Sequence, residues 1–424
     1  MLNKDYEPKM YISTKDMPIK EWEEARRDSL GGSDMSVVMG VNPYGRTRKE
    51  LFFDKTRRKP VSESDDRSKE IIFGAGHFLE EMVANLFSEQ TALETYEIKA
   101  MFEHPLYPFI RADIDRFYRY KGTKTPLGIL ECKTTNEFNR DWSDDRIPIQ
   151  YCCQLATYLS VLNMDNAHIS CLFIPEIVRV IAGVLFQMKK LFGKLPKTVL
   201  GDLKDQLMSV SDSETELYLP TLLKAMDGEF LLPKHLLADT SSAIGKKFIT
   251  REYTRDEVFE EAMLSEATDF WTNYVQKGIE PPFTEEASAC ISTIEKYYAP
   301  KTPSTTPVVT KIVTEEMEEN IKKIKMLRSK SAAFTKKASE LDKEVEKLSI
   351  PFIEALKSDG GKQITFMKDT DVLAVGKYES RESTRTDVKK IKTAHPSIYD
   401  TLITDGFIKT SMSKPKFKLT GGVL

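Results

Sequence analysis

The stretch Gly128–Lys133, with the sequence GILECK, decides the fold class of this chain. Its first half is apolar and its second half carries two charges, as in a strand that enters a core before it presents polar groups. Residues two apart on a strand share a face, so Glu131 and Lys133 point the same way. The upstream stretch Phe109–Phe117 contains Asp115 and also has strand character. The two stretches predict a β-hairpin with a loose, turn-rich loop.

The residues around this hairpin predict one compact α/β unit over residues 1–173. An amphipathic helix is expected at Gly74–Ser88 and a second helix at Pro148–Leu162. A strand is expected directly after the second helix, at Ala167–Phe173. Upstream of the hairpin, the glycine-rich turn Leu30–Asp34 opens a further short helix.

The charge balance excludes a protein whose whole surface attracts nucleic acid. The 424 residues include 62 basic and 65 acidic side chains, and the net charge is -3. Any contact with a nucleic acid must therefore come from local basic patches. The final segment, from Gly361 onward, is the one such module that the sequence predicts, because 12 Lys and Arg stand there against 7 Asp and Glu.

The cysteines indicate a reducing compartment and exclude a conventional zinc site. Five cysteines are present, in no CxxC pair and at no Cys/His zinc spacing. Their odd number and the lack of a signal peptide predict a cytoplasmic protein, in the host cell if a phage encodes it. The most hydrophobic stretch, Ile177–Met188, is interrupted by Arg179 and is too short to span a bilayer.

The rest of the chain divides into further segments by composition. Residues 174–245 have helical periodicity and predict a mainly helical insertion, after which residues 246–299 supply the last strand and helix of the first unit. A capping box at Thr254–Glu257 opens that helix. Residues 300–350 predict a Thr/Pro-rich linker and a coiled-coil helix, and residues 351–424 a small basic module.

Apolar residues that alternate at spacings of four and three define the seam of the coiled coil. They are Phe334, Ala338, Leu341, Val345 and Leu348, and an upstream group follows after a three-residue slip, comprising Met317, Ile321, Ile324 and Leu327. Two interpretations stay open. The segment is either a helical hairpin packed against the first unit or a contact between copies in a homo-oligomer.

Asp115, Glu131 and Lys133 form the strongest candidate active centre. Hydrolysis of a phosphodiester needs a divalent cation that stabilises the phosphate and activates water. Mg²⁺ usually takes one or two carboxylates and keeps several waters. If Asp115 lies on the paired strand, its carboxylate and that of Glu131 can converge on one cation, with Lys133 beside the attacking water. The alternative is an exposed cross-strand charge pair without a chemical role.

The order of short motifs in this chain resembles that of the YqaJ-like viral recombinases and the phage lambda exonuclease family, within the PD-(D/E)xK nucleases. An acid followed by E-x-K, after a helix with G-x-x-x-E, is the pattern of that superfamily. The matching elements are Trp22–Arg26 (W-x-x-x-R), Leu30–Asp34 (I-G-G-S-D), Gly40–Tyr44 (G-x-[SN]-P-[YF]), Gly76–Glu80 (G-N-x-x-E), Asp115 with Glu131–Lys133, and Gln154.

This resemblance implies a fold and a set of residue roles. The fold would be a central mixed β-sheet flanked by helices. Asp115 and Glu131 would bind the metal with the Cys132 carbonyl as a further ligand, and Lys133 would position the water. Glu80 would help hold that water or a second metal, and Gln154 would support the site. Arg26 and Ser33 would bind a DNA phosphate, in the exonuclease the terminal 5′-phosphate.

Two positions depart from the family pattern. His77 stands where the family usually has Asn, and it is either a metal ligand or a solvated helix residue. Asp113 precedes Asp115 on the same strand face, and the pattern selects Asp115 as the ligand.

The function that the resemblance implies is a Mg²⁺-dependent exonuclease, with Mn²⁺ as a substitute, that digests linear double-stranded DNA from 5′ to 3′. Its single-stranded product would pass to an annealing protein in phage-type recombination. One alternative is a structure-dependent or restriction-like endonuclease with the same site. Another is a non-catalytic DNA-binding or inhibitor protein on the same fold. An ATP-driven enzyme is excluded because the sequence has no GxxxxGK[ST] loop.

Overall fold

The computed structural model divides the chain into two compact units, Met1–Lys301 and Thr302–Leu424. The residues that it describes are 2–60, 67–142, 145–193, 201–202, 205, 213–226, 234–237, 247–298, 314–358, 363–368 and 371–377. The linker predicted at 300–307 and the basic stretches predicted beyond Lys377 lie outside these residues.

The first unit combines strands and helices along its whole length. Its strands are β1 (Lys9–Ser13), β2 (Leu93–Tyr96), β3 (Ala100–Glu103), β4 (Arg111–Asp113), β5 (Arg116–Tyr120), β6 (Gly128–Asn136), β7 (Asn166–Ile174) and β8 (Phe248–Thr254). Its helices are α1 (Ile19–Arg27), α2 (Gly32–Val38), α3 (Arg48–Lys55), α4 (Arg67–Thr91), α5 (Ile149–Leu162), α6 (Glu176–Phe192), α7 (Ser213–Met226), α8 (Glu257–Asp269) and α9 (Ala287–Tyr297).

A five-stranded mixed sheet forms the centre of this unit, in the order β2-β5-β6-β7-β8. β6 is the middle strand, and it pairs antiparallel with β5 and parallel with β7. Its residues Ile129 and Leu130 are fully buried in apolar clusters on opposite faces of the sheet. The predicted fold class, a central mixed sheet flanked by helices, is therefore confirmed.

The first strand of the predicted hairpin is divided between two sheets. β4 pairs with β3 in a three-stranded sheet of order β1-β3-β4, whereas β5 joins the central sheet. The buried apolar residues change phase between these strands: Ile110, Ala112 and Ile114 alternate, but the next one is Phe117. The prediction of a single strand is wrong because the chain crosses from one sheet to the other at this slip, where Asp115 lies.

Helices cover both faces of the central sheet. α2, α3, α5 and α8 pack on the face that includes Ile129, and α4, α6 and α7 pack on the face that includes Leu130. α4 and α6 approach closely, since a Cβ on Gly183 would overlap the carbonyl oxygen of Ile71. α6 and α7 lie in the stretch predicted as an insertion, and their apolar side chains contribute to the second cluster.

The second unit contains a long helix and a two-stranded hairpin. The helix, α10 (Glu315–Ser358), precedes strands β9 (Gln363–Lys368) and β10 (Asp371–Lys377), which pair antiparallel. The seam residues predicted from the sequence lie along α10, with large apolar side chains such as Phe334 and Leu348 exposed.

In the described part of the chain, each helix is too short or too polar to cross a membrane.

Candidate active site

The three residues predicted as an active centre lie together at the middle of the central sheet. Asp115 lies in the connection between β4 and β5, and Glu131 and Lys133 lie on β6. Oδ2 of Asp115 accepts a hydrogen bond from the Cys132 amide at 2.8 Å, which fixes this carboxylate beside β6. The two acids therefore converge from adjoining chain segments, although Asp115 is not itself part of the paired strand.

Glu131 is the most enclosed of these groups, with 2% of its surface exposed. Its Oε1 accepts a hydrogen bond from Nε2 of Gln154 at 2.6 Å and another from the Lys133 ammonium. Its Oε2 is buried and has no hydrogen-bond partner among the described residues. A buried carboxylate oxygen is costly unless a donor or a cation satisfies it, so Oε2 is the atom here that most needs an electropositive partner.

The charges of these groups shift one another's pKa values. Burial raises the pKa of Asp115 well above its usual value, and the carboxylates of Glu131 and Glu80 raise it further. Burial also raises the pKa of Glu131, despite the contact with Lys133. For Lys133, burial lowers the pKa, but the carboxylates of Glu131 and Asp115 outweigh burial and raise it. A cation shared by the two acids would remove their repulsion.

Glu80 borders the site from α4 and is held there by an arginine. Arg116 on β5 forms ion pairs with Glu80 and, at 2.9 Å, with Glu81. The same guanidinium donates to the Asp115 carbonyl at 2.6 Å. Nδ1 of His77 lies 3.8 Å from Oε2 of Glu80, and the His77 side chain is 57% exposed. The sequence reasoning missed Arg116, whose position directly after Asp115 was the available signal.

α5 presents a row of side chains to the site. Gln154 donates through Nε2 to Glu131 and, at 2.8 Å, to the hydroxyl of Tyr158, which is buried one turn further along. Tyr151 lies one turn earlier, and the Lys133 ammonium is 5.3 Å from the centre of its ring. The sequence reasoning named Gln154 alone. The spacing of the two tyrosines, three before and four after, places them on the same helix face and could have found them.

Arg26 and Ser33, the residues predicted to bind a DNA phosphate, are in contact. Nη2 of Arg26 on α1 donates to Oγ of Ser33 on α2 at 2.9 Å. The Arg26 guanidinium lies over the ring of Trp22, 4.7 Å from its centre, and the Trp22 indole donates to Asp113 at 2.5 Å. A guanidinium and a hydroxyl side by side are donors that suit an oxyanion. Asp113 thus contacts the ring on which the Arg26 guanidinium lies.

A buried ion cluster fixes the end of α1 that carries Arg26. Asp34, which is buried, accepts hydrogen bonds from Lys55 at 2.7 Å, Arg46 at 3.1 Å and the Gly31 amide at 3.1 Å. Lys55 also donates to the Arg26 carbonyl at 3.0 Å. Burial alone would raise the pKa of Asp34, but Lys55, Arg46 and Arg26 outweigh it and hold that pKa well below its usual range.

The turn that begins α2 touches the helix that carries Gln154. A Cβ on Gly32 would lie 2.7 Å from the ring of Tyr158 and 2.9 Å from Cγ of Gln154. Since real Cβ contacts are longer, only glycine leaves room for this approach. The Arg26–Ser33 pair and the Asp115–Glu131 pair therefore belong to one continuously packed structure.

The acids present fit a hard divalent cation in kind and number. Among the described residues, no three His, Cys, Asp or Glu side chains are arranged to hold a metal ion together. Mg²⁺ needs one or two carboxylates and keeps several waters. Asp115 and Glu131 meet that need, and the unsatisfied Oε2 of Glu131 is a suitable ligand atom.

Comparison with known proteins identifies the part of the chain that holds these residues. Residues 21–165 match the YqaJ-like viral recombinase domain. This segment is similar to the YqaJ-like viral recombinase domains. It contains all the candidate site residues, from Arg26 to Gln154, and the resemblance predicted from the motifs is confirmed.

The chain is also similar to one curated protein and, more distantly, to solved structures. The protein YqaJ of Bacillus subtilis strain 168, described as uncharacterized, is 26% identical over 390 residues, which is 91% of each chain. An alkaline exonuclease from Laribacter hongkongensis is 14% identical, with 62% of this chain and 94% of that chain covered at a TM-score of 0.35. A phage-related exonuclease from Haemophilus somnus 129PT is 13% identical, with 59% and 96% covered at a TM-score of 0.32.

Proposed function

We propose that this protein is a metal-dependent DNA exonuclease that digests linear double-stranded DNA from the 5′ end. The observation that carries the proposal is that partly buried Asp115 and buried Glu131 lie together beside β6, with Lys133 in contact and one Glu131 oxygen unsatisfied, inside the segment that matches the YqaJ-like viral recombinase domain. A purely structural charge pair gains nothing from two neighbouring acids whose pKa values are raised. Such clusters are typical of catalytic sites.

The cation would be Mg²⁺, held by Asp115, Glu131 and the Cys132 carbonyl, and Mn²⁺ would replace it because it prefers the same oxygen ligands. When bound, this cation supplies Lewis-acid stabilisation of the phosphate and lowers the pKa of a water. The fit rests on the two carboxylates beside β6 and on the buried, unpaired Oε2 of Glu131.

The side chains around the acids would orient the reactants. Lys133 keeps its positive charge beside Glu131, and its ammonium would position the attacking water and stabilise charge that develops on the phosphate. The amide of Gln154 holds Glu131 in one orientation. Glu80, tied to Arg116 at the border of the site, would hold the same water from its other side.

Arg26 and Ser33 would bind the terminal 5′-phosphate of the substrate. Their contact at 2.9 Å presents a guanidinium and a hydroxyl together, and the Asp34 cluster holds the chain on both sides of them. Their packing through Gly32 against α5 would keep a bound end at a set distance from the acids. An enzyme built in this way prefers 5′-phosphorylated ends.

Digestion of one strand leaves the other single-stranded. A single-strand annealing protein is the partner that such a product suits, which agrees with a role in phage-type recombination in the cytoplasm. The name of the matched domain, a viral recombinase, supports this context.

The test compares three substrates with the full chain, in Mg²⁺ and in EDTA: 5′-phosphorylated linear duplex, 5′-hydroxyl linear duplex and closed circular duplex. We expect nucleotide release from linear DNA in Mg²⁺, fastest with a 5′-phosphate, and none from circular DNA or in EDTA. Equal cleavage of circular DNA would show an endonuclease instead. No cleavage in Mg²⁺ or Mn²⁺, with DNA still bound, would show a non-catalytic DNA-binding protein.

A further inference from the structure

α10 exposes an apolar seam along most of its length. Phe334 is 73% exposed and Leu348 is 65% exposed, and Leu341 and Val345 are more than half exposed. The helix has 44 residues, which corresponds to about 66 Å at ~1.5 Å per residue. An exposed apolar face of this length is typical of a helix surface that another apolar face covers.

The seam follows an unbroken heptad pattern once two polar positions are accepted within it. With Asn320 and Ser331 included, the spacing alternates between three and four without a slip, and Ile321 falls outside the seam. The positions are Met317, Asn320, Ile324, Leu327, Ser331, Phe334, Ala338, Leu341, Val345 and Leu348. A pattern sustained over this many heptads is that of a coiled coil, and isolated polar residues in the seam fix its register.

We propose that α10 pairs antiparallel with α10 of a second copy of this chain, around a two-fold axis close to Lys336. This register overlaps almost the whole of both helices, because it sets Glu315 near Lys357 of the other copy. The N-terminal half of one seam then packs against the C-terminal half of the other. Each exposed apolar face is therefore covered by the identical face of the second copy.

Side-chain size supports this register. In it, Phe334 faces Ala338 and Ser331 faces Leu341, so a small residue lies opposite a large one in the central layers. The outer layers pair Leu327 with Val345, and Ile324 with Leu348, which are all apolar. In a parallel pair Phe334 would face Phe334, and Ser331 would face Ser331, which leaves alternate crowding and voids.

Charge supports the same register. Seven Lys and Arg and no acid lie between Asn320 and Glu340, whereas Glu340 to Glu346 contains four acids and one Lys. The antiparallel register sets the basic part of one helix against the acidic part of the other. Beside the seam it pairs the positive charge of Lys330 with the negative charge of Glu344.

Arg328 faces Asp342 in that register, and symmetry produces each opposite-charge pair twice. One like-charge pair, Lys337 with Lys337, lies at the axis. In a parallel pair Lys337 would instead face Asp342, but Lys323 would face Arg328, so attraction and repulsion would balance. The antiparallel arrangement is therefore the one that the charges favour.

The test measures the association of the full chain by analytical ultracentrifugation at micromolar concentration. We expect a dimer, and we expect Lys330→Glu or Glu344→Lys to raise its dissociation constant about tenfold or more, since each makes two pairs repulsive. An equimolar mixture of the two variants should regain the wild-type dissociation constant, because each chain then faces its charge complement. Lys323→Glu is the matched control, as its antiparallel neighbour is the uncharged Pro351.

Circular dichroism of each variant checks that the helix content is kept, so that loss of association can be told apart from loss of fold. A monomeric wild-type chain would overturn the proposal. So would dimers that neither charge reversal weakens, or a mixture of the two variants that stays monomeric. Tighter association of Lys323→Glu would show a parallel pair and would overturn the antiparallel arrangement. The result is independent of nuclease activity, because α10 lies outside the YqaJ-like domain.

Discussion

At the residue scale, Asp34 and Asp54 both form an ion pair with Arg46, but Asp34 is buried and Asp54 is partly exposed. The Asp34 side chain is 4% exposed and also pairs with Lys55, whereas the Asp54 side chain is 36% exposed. Removing one partner of a buried ion pair costs about 3 to 5 kcal/mol, and of an exposed pair about 0 to 1 kcal/mol. We predict that Asp34→Asn lowers the free energy of unfolding by several times more than Asp54→Asn. Urea unfolding followed by circular dichroism measures both, and equal losses would contradict the prediction.

The same carboxylate predicts a dependence of stability on pH. Lys55, Arg46 and Arg26 hold the pKa of Asp34 below its unfolded value, which is about 4. Its ion pairs therefore stabilise the fold above that pH and lose their contribution as the pH falls below it. Between pH 5 and pH 3, wild type should lose more stability than Asp34→Asn. Parallel curves of unfolding free energy against pH for the two proteins would refute this.

Tyr158 offers a test of how Glu131 is held. Tyr158→Phe removes the hydroxyl that accepts from Gln154 but leaves the ring in place. A hydrogen bond of this kind contributes about 0.5 to 1.5 kcal/mol, so we predict a fall in kcat of up to about tenfold with little change in KM for DNA. Gln154→Leu should lower kcat further, and the double variant should match Gln154→Leu alone. Additive losses would show that the hydroxyl acts elsewhere.

At the scale of elements, the contact between α4 and α6 depends on one glycine. A Cβ on Gly183 would overlap the Ile71 carbonyl, whereas a Cβ on Gly76 would meet nothing within 4 Å. Overpacking costs about 1 to 3 kcal/mol, and Ala stabilises a helix over Gly by about 1 kcal/mol. Gly183→Ala should therefore lower the thermal midpoint, and Gly76→Ala should raise it or leave it unchanged. Calorimetry of the two variants would contradict this account if their order were reversed.

The elements that the sequence predicts best are those with local signals. β6 follows from an apolar run with charges behind it, and α5 from its helical period, so Glu131, Lys133 and Gln154 could be placed in advance. The end of the strand before Asp115 could also be predicted, because the alternation of apolar residues is interrupted between Ile114 and Phe117. It was missed because both sides of the slip look like strand.

Contacts between distant parts of the chain could not be predicted in this way. Asp34 meets Lys55, and Glu80 meets Arg116, across separations set by the packing of helices on the sheet. No spacing in the sequence encodes such pairs. The motif resemblance selected the acids and the lysine, but only the fold shows which cations hold them and which carboxylate oxygen lacks a partner.

At the scale of the whole molecule, each unit has a distinct physical character. The first unit holds the candidate site in one packed body that carries more acidic than basic side chains, so the proposed contact with DNA rests on local groups such as the Arg26–Ser33 pair. The second unit holds a helix whose exposed seam suits a second copy. Chemistry and association are thus assigned to separate parts of the chain and can be tested separately.

We propose that Asp115, Glu131 and Lys133 together carry out metal-dependent hydrolysis of DNA. The most direct test is the rate of nucleotide release from 5′-phosphorylated linear duplex in Mg²⁺, for wild type, Lys133→Ala and Asp115→Ala. We predict release by wild type that EDTA abolishes, and a loss of about 100-fold or more in each variant with the fold intact. Wild-type rates in either variant would contradict the assignment of the site.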